Sequence, residues 1–314
     1  MKKYAILIKV LVSAGLLAFL IWRIDFAPLG SILTNLAPKY YCLAALLWCM
    51  NLCVQAAILR VLLSAKIINA GIIDIIKMLV ISNFFGVFLP GGTGPDIVLC
   101  YYLCKGSEKK KEALSAVIFA RLGTTFIMVL TAFLFSFGDT PLRHSLNMAS
   151  AVMLVVGLAI YLLVLKSAPS AAAIPAGTSL RKYKWSAFAY DTLLTTVDFM
   201  CNKKVLTATI PLFALVGALR VFIDYSIALS IGLNIHLADF TMMIPWPSLA
   251  VILPITVAGI GVREGAYVSA LSAIGVLPAQ AFSISILSFS LTLLTCIAGA
   301  IIYATNRRQL ISNS

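Results

Sequence analysis

The chain has 314 residues, of which 61% are hydrophobic and 11% charged, and carries a formal net charge of +13. Soluble domains hold about a quarter of their residues as charges, so this composition excludes a soluble fold: too little polar surface exists to cover the apolar mass. The positive balance falls mostly in short loops between apolar runs. It therefore reads as a topology signal with anionic lipid headgroups as partners, and implies no nucleic acid.

The first apolar run covers residues 4–22, with Lys2, Lys3 and Lys9 near its start and Trp22 at its end. Arg23, Ile24 and Asp25 follow where a cleavable signal peptide would carry small residues, so an uncleaved signal-anchor helix is predicted. Continuous apolar runs recur at 40–63, 116–137, 148–166, 205–231 and 281–303. Each is long enough for one helical crossing of a ~30 Å hydrocarbon core.

Two further segments are apolar but interrupted near their middle by glycine, proline and charge. The first runs from Ile72 through Leu89-Pro90-Gly91-Gly92-Thr93-Gly94-Pro95-Asp96 to Cys104. The second runs from Phe240 through Pro254 and Ala258-Gly259-Ile260-Gly261-Val262-Arg263-Glu264-Gly265 to Val276. If the N-terminus is cytoplasmic and both segments return to their side of entry, almost all loop lysines and arginines fall on the cytoplasmic face. Only Arg23, Lys39 and Arg143 then lie outside, with Arg220 and Arg263 within the membrane. Two full crossings in place of each hairpin would keep the same loop sides.

The predicted fold is thus an all-α, polytopic transmembrane helix bundle with two oppositely oriented re-entrant hairpins and both termini in the cytoplasm. The chain forms one membrane domain over 1–314. Its half-repeats, about 1–140 and 141–314, each contain two spans, a hairpin and a third span, an inverted-topology repeat of the kind secondary transporters use. Residues 167–204 form a basic cytoplasmic linker, in which Arg181-Lys182-Tyr183-Lys184-Trp185 suits an interfacial helix. The hairpins share Gly92-x-Gly94-x-Asp96 and Gly259-x-Gly261-x-Arg263.

Irregular backbone at membrane depth is tolerated only inside protein or along a wet cavity, so the two breaks point to the substrate site. Asp96 opens the return helix of the first hairpin, as an N-cap or as an N-cap with a binding role. Arg263 and Glu264 are neighbours whose side chains leave a helix in different directions, so each is predicted to need a partner elsewhere. Asp96 is the expected partner of Arg263, and Arg121 that of Glu264. Arg220 and Asp224, four apart, read as a self-satisfied helical pair. Arg60 and Arg121 lie within snorkelling reach of the cytoplasmic interface. Pro90 and Pro254 mark the breaks themselves.

Signals for catalysis are thin. His144 and His236 are isolated, and Asp191 and Asp198 read as solvated charge, so no metal, cofactor or catalytic residue is expected. The cysteines, Cys42, Cys49, Cys53, Cys100, Cys104, Cys201 and Cys296, look like small apolar residues without metal or disulfide spacing. No P-loop or nucleophile elbow is present.

At the two breaks the sequence resembles a flippase-like membrane family related to the transmembrane region of lysylphosphatidylglycerol synthase. Residues Leu89 to Asp96 are similar to that family's L-P-G-G-x-G-G-D motif, and Pro254 to Gly265 to its P-x-S-x-x-G-x-G-x-R-E-G motif. Pro95 replaces a glycine, Leu99 stands where arginine is common, and Thr256 replaces serine. The resemblance covers nearly the whole chain and implies movement of a lipid or lipid-linked headgroup between leaflets of the cell (inner) membrane. The aminoacyl-transferase domain of bifunctional relatives is not expected, since the sequence stops at Ser314. In this reading Arg263 and Arg121 receive phosphate, Asp96 and Glu264 hold those arginines and exchange a proton, and Gly92, Gly94, Gly259 and Gly261 shape the site. A phospholipid- or polyprenyl-lipid-modifying enzyme, or a scaffold for an envelope-synthesis complex, are the alternatives. A homo-oligomer or an envelope-synthesis enzyme is the possible protein partner.

Overall fold

The computed structural model describes residues 30, 34–89, 94–105, 109–137, 141–172, 184–252, 256 and 258–312. The expected first span at 4–22, the Arg23-Ile24-Asp25 stretch, Arg181 to Tyr183 of the linker, and the tip residues Pro90, Gly92 and Pro254 lie outside the described residues. Among the described residues the regular structure is entirely helical. The helices are α1 (Pro38–Ala65), α2 (Ile72–Gly86), α3 (Gly94–Cys104), α4 (Lys110–Phe135), α5 (Pro141–Ala172), α6 (Lys184–Cys201), α7 (Lys203–Ser230), α8 (Leu237–Met243), α9 (Pro245–Ala250), α10 (Val262–Ser272) and α11 (Pro278–Ser312).

Five of these, α1, α4, α5, α7 and α11, contain stretches long and apolar enough to cross a membrane. They correspond to the five continuous runs read from the sequence after residue 22. Their outer faces carry exposed Leu46, Val155, Ile297 and Ile301, the surface a lipid solvent favours. Where helices meet, small residues allow close approach: a Cβ on Gly123 of α4 would strike the Phe213 ring, and one on Gly217 of α7 would strike Ile127.

One end of the bundle is basic. There Lys109 Nζ donates to the carbonyls of Lys66 and Ile67, just beyond the end of α1. Lys66 pairs with Asp198 at 3.3 Å, and Lys111 pairs with Asp191. Asp198 remains largely exposed, as the solvated-charge reading expects, while Asp191 is more enclosed in its pair with Lys111. Both belong to α6, which packs on α4: Ser115 of α4 donates to the Thr192 carbonyl at 2.8 Å, and the Phe119 and Phe199 rings pack 5.6 Å apart. At the opposite end, the amide of Ala37 donates to the Ser230 carbonyl at 2.7 Å, and Arg143 pairs with Asp239.

The two interrupted segments are each helix, break and helix. The first begins five residues after Ile67 and ends where Cys104 Sγ meets the Lys110 carbonyl at 3.5 Å, so both its ends lie at the basic end. The second starts at Leu237 beside the Arg143–Asp239 pair, and its last helix runs into Pro278 of α11 through a turn at Ala273–Gly275. The helices flanking the first break pack into one apolar core, and those flanking the second pack into another. One groups Ile58, Leu62, Leu99, Val117 and Phe213; the other groups Ile223, Phe240, Met243, Tyr267 and Ile284.

Candidate functional site

The first break depends on glycines because two backbones nearly touch there. A Cβ on Gly94 would lie 2.2 Å from the Gly86 carbonyl oxygen, and one on Gly86 would lie 2.4 Å from the Pro95 nitrogen. The second break depends on them for chain direction. Gly259 and Gly261 have φ of +73° and +86°, in the left-handed region that side chains disfavour, and Ala258 joins them at +53°. Gly261 then caps α10, donating its amide to the Glu264 carboxylate.

The breaks meet. The Ala258 amide donates to the Leu89 carbonyl at 3.5 Å, and beside this junction a cavity of about 330 Å³ opens between α1, α2, α3, α4, α7, α9, α10 and α11. Arg121, Arg220 and Arg263 all line it, as does Asp96. Each arginine has a carboxylate. Arg121 Nε lies 3.6 Å from Asp96 Oδ2, Arg220 Nε lies 3.4 Å from Asp224 Oδ2, and Arg263 Nε donates to Glu264 at 3.1 Å.

These pairs correct the expected partners. Asp96 does not meet Arg263, and Arg121 does not meet Glu264. Asp96 and Glu264 occupy the same place, each the third residue of the helix that leaves its break. The glycine pattern had instead aligned Asp96 with Arg263. Glu264 can serve its own neighbour because its carboxylate folds back toward the N-terminus of α10, where the Arg263 guanidinium also turns. Ser285 of α11 accepts from Arg263 Nε at 3.2 Å, and the Phe289 ring lies under the guanidinium at 4.1 Å.

Arg121 stands on the cavity wall. It lies eleven positions past Lys110, the start of α4, or roughly 17 Å at about 1.5 Å per residue. Arg60, by contrast, is exposed near the end of α1 and is not on the cavity wall. Arg220 and Asp224 do pair, and Tyr267 completes them: its hydroxyl donates to Asp224 Oδ2 at 2.8 Å and accepts from Arg220 at 3.1 Å.

The carboxylates and guanidiniums are not presented equally. The side chains of Arg121, Arg220 and Arg263 are 39%, 21% and 12% exposed, whereas Asp224 and Glu264 are 0% and 4% exposed. Neither Asp224 nor Glu264 lines the cavity, so among the described residues its wall shows three guanidiniums to one carboxylate. Arg121 Nε and Arg220 Nε also lack a hydrogen bond of good geometry. Such a wall attracts an anionic oxygen group, which planar guanidiniums bind through paired N–H donors.

Sequence reasoning missed several wall residues. Asn51 and Gln55 stand four apart near the middle of the run at 40–63, where polar side chains are costly enough to have been a signal. Tyr267 and Phe289 on the wall, and Ser285 behind Arg263, carried none, because a tyrosine, serine or phenylalanine in a membrane helix is ordinary until its neighbour is known.

A family model described as the lysylphosphatidylglycerol synthase TM region matches residues 6–299 of the chain. No curated protein and no solved structure matches it.

Proposed function

The chain belongs to the lysylphosphatidylglycerol synthase TM-region family, and from that premise we propose that it is a transporter moving a lipid headgroup between the leaflets of the membrane. Membership carries the coarse statement, a multi-pass membrane protein with a lipid-related role. The finer reading rests on one observation above all: three arginines present their guanidiniums to a cavity at the meeting of two broken helices, while two of their three carboxylates are withdrawn from it.

In this reading the headgroup phosphate enters the cavity and the acyl tails stay in bilayer. Arg263 and Arg220 receive the phosphate. Arg121, whose pair with Asp96 is the longest of the three, exchanges that partner for the phosphate as the headgroup passes. The basic end of the bundle faces the cytoplasm, as the positive-inside bias favours. The interrupted segments are then re-entrant hairpins from opposite faces, related as inverted repeats, and rocking of one against the other alternates access.

The test is translocation of labelled phosphatidylglycerol in vesicles reconstituted with the wild type or with Arg263→Ala. The variant should lose most of the activity while eluting as a folded protein. Undiminished translocation by folded Arg263→Ala would overturn the proposed role.

A further inference from the structure

The chemistry of the cavity beyond its arginines points to the kind of headgroup. An amine-bearing headgroup needs a carboxylate or an open aromatic face. Among the described residues the wall offers one carboxylate, Asp96, already beside Arg121. The Phe289 face is covered by the Arg263 guanidinium at 4.1 Å, and the Tyr267 hydroxyl is committed to Asp224 and Arg220. Trp48 also lines the cavity, its indole N–H donating to Thr295 Oγ1 at 3.0 Å; a single indole face with no free carboxylate beside it does not make a cage for an ammonium group.

Neutral hydrogen-bonding groups are abundant instead. Asn51, Gln55, Ser82, Asn83, Thr125 and Ser248 all line the cavity. Gln55 donates to Asn51 Oδ1, and Asn51 donates to the Val216 carbonyl at 3.4 Å, so both amides are held in place on the wall. Ser82 adds an independent sign: it is 1% exposed, lines the cavity, and its hydroxyl has no hydrogen-bond partner. A buried polar group without a partner is costly, and a ligand hydroxyl would relieve it.

We infer that the cavity selects a phosphodiester headgroup bearing neutral hydroxyls, a glycerol or sugar attached through phosphate, over an amine-bearing one. The arginines take the phosphate, and the α1 and α2 wall around Gln55 and Ser82 takes the hydroxyls. This rests on the transporter reading and deepens it.

The experiment measures translocation in vesicles doped with labelled phosphatidylglycerol, phosphatidylinositol, phosphatidylethanolamine, phosphatidylcholine or phosphatidic acid. The expected result is a preference of about tenfold or more for one or both polyol lipids over the other three, the scale of two good hydrogen bonds. Phosphatidylglycerol alone would identify a glycerol headgroup, and phosphatidylinositol a ring polyol. Ser82→Ala and Gln55→Leu should each reduce the preference several-fold. Ser82→Ala removes a hydroxyl that nothing in the protein uses, so its unfolding temperature should not fall, which separates a ligand contact from a structural one. Equal transport of the amine lipids or of phosphatidic acid, or an unchanged preference in both variants, overturns the inference and leaves the transporter reading standing. Transport of none of the five overturns the transporter reading itself.

Discussion

The amide of Ala258 donates to the carbonyl of Leu89 at 3.5 Å, joining two chain segments that are 169 residues apart and enter from opposite ends of the bundle (258 − 89 = 169). The contact is long for a hydrogen bond, and Ala258 makes it from a left-handed conformation that a non-glycine residue holds at some cost. A junction of that kind is suited to break and re-form.

Locking it should stop transport. With Leu89→Cys and Ala258→Cys introduced together, mild oxidation is expected to cross-link the two breaks, a product readable by mass spectrometry of the linking peptide. Translocation should fall on oxidation and return on reduction. A cross-linked protein that transports at the full rate would show that the breaks do not separate during turnover.

The close approach at the first break carries a different expectation. Gly86→Ala and Gly94→Ala each set a methyl against backbone that cannot move aside, and overpacking of this sort costs about 1–3 kcal/mol. Gly123→Ala sets its methyl against the Phe213 ring, which can be trimmed. Thermal unfolding in detergent should therefore show Gly123→Ala rescued by Phe213→Leu, with a coupling of roughly 0.5–3 kcal/mol. The same second change should do nothing for Gly86→Ala. Equal rescue of both would mean that the crowding at Gly86 is not what destabilises it.

How much of this was legible in the sequence follows from what each residue needs. The long helices were, because a run that must cross lipid announces itself by composition. The two breaks were, because glycine and proline at that depth have few other uses. The Arg220–Asp224 pair was, since its partners are four apart on one helix. The pairing of Asp96 with Arg121 was not: it depends on α3 folding back beside α4, and spacing along the chain does not encode which helices touch. The Arg263–Glu264 pair was misread for the opposite reason. A rule for helix interiors was applied at a helix start, where side chains can fold back over the free amides.

The network of Arg220, Asp224 and Tyr267 should dominate stability among the three pairs. Asp224 is fully buried, so Asp224→Ala leaves the Arg220 charge uncompensated, a loss of about 3–5 kcal/mol. Tyr267→Phe removes one hydroxyl that bonds both charges and should cost roughly 1.5–3 kcal/mol. Replacing both charges, Arg220→Met with Asp224→Leu, should recover much of the stability lost in Asp224→Ala while abolishing transport. Unfolding midpoints in detergent would check the order, and a double variant less stable than Asp224→Ala would contradict it. Lys66→Ala, which breaks a pair with a largely exposed Asp198, should change stability by less than about 1 kcal/mol.

Arg263 offers the sharpest separation of charge from shape. Its guanidinium bonds Glu264 through two nitrogens, donates to Ser285 and lies over Phe289, all from one planar group. A lysine ammonium can supply the charge but cannot hold these contacts together or present paired donors to a phosphate. Arg263→Lys should therefore keep the Glu264 carboxylate compensated and the protein folded, with an unfolding midpoint lowered by the lost Ser285 and Phe289 contacts. Translocation should nonetheless fall by about tenfold or more, the consequence of losing roughly one charge-assisted hydrogen bond to the headgroup. Arg60→Lys, on the exposed end of α1, is the matched control and should transport as the wild type does. If Arg263→Lys restores full transport, a positive charge at this position is sufficient, and the planar recognition of phosphate assigned to Arg263 is wrong.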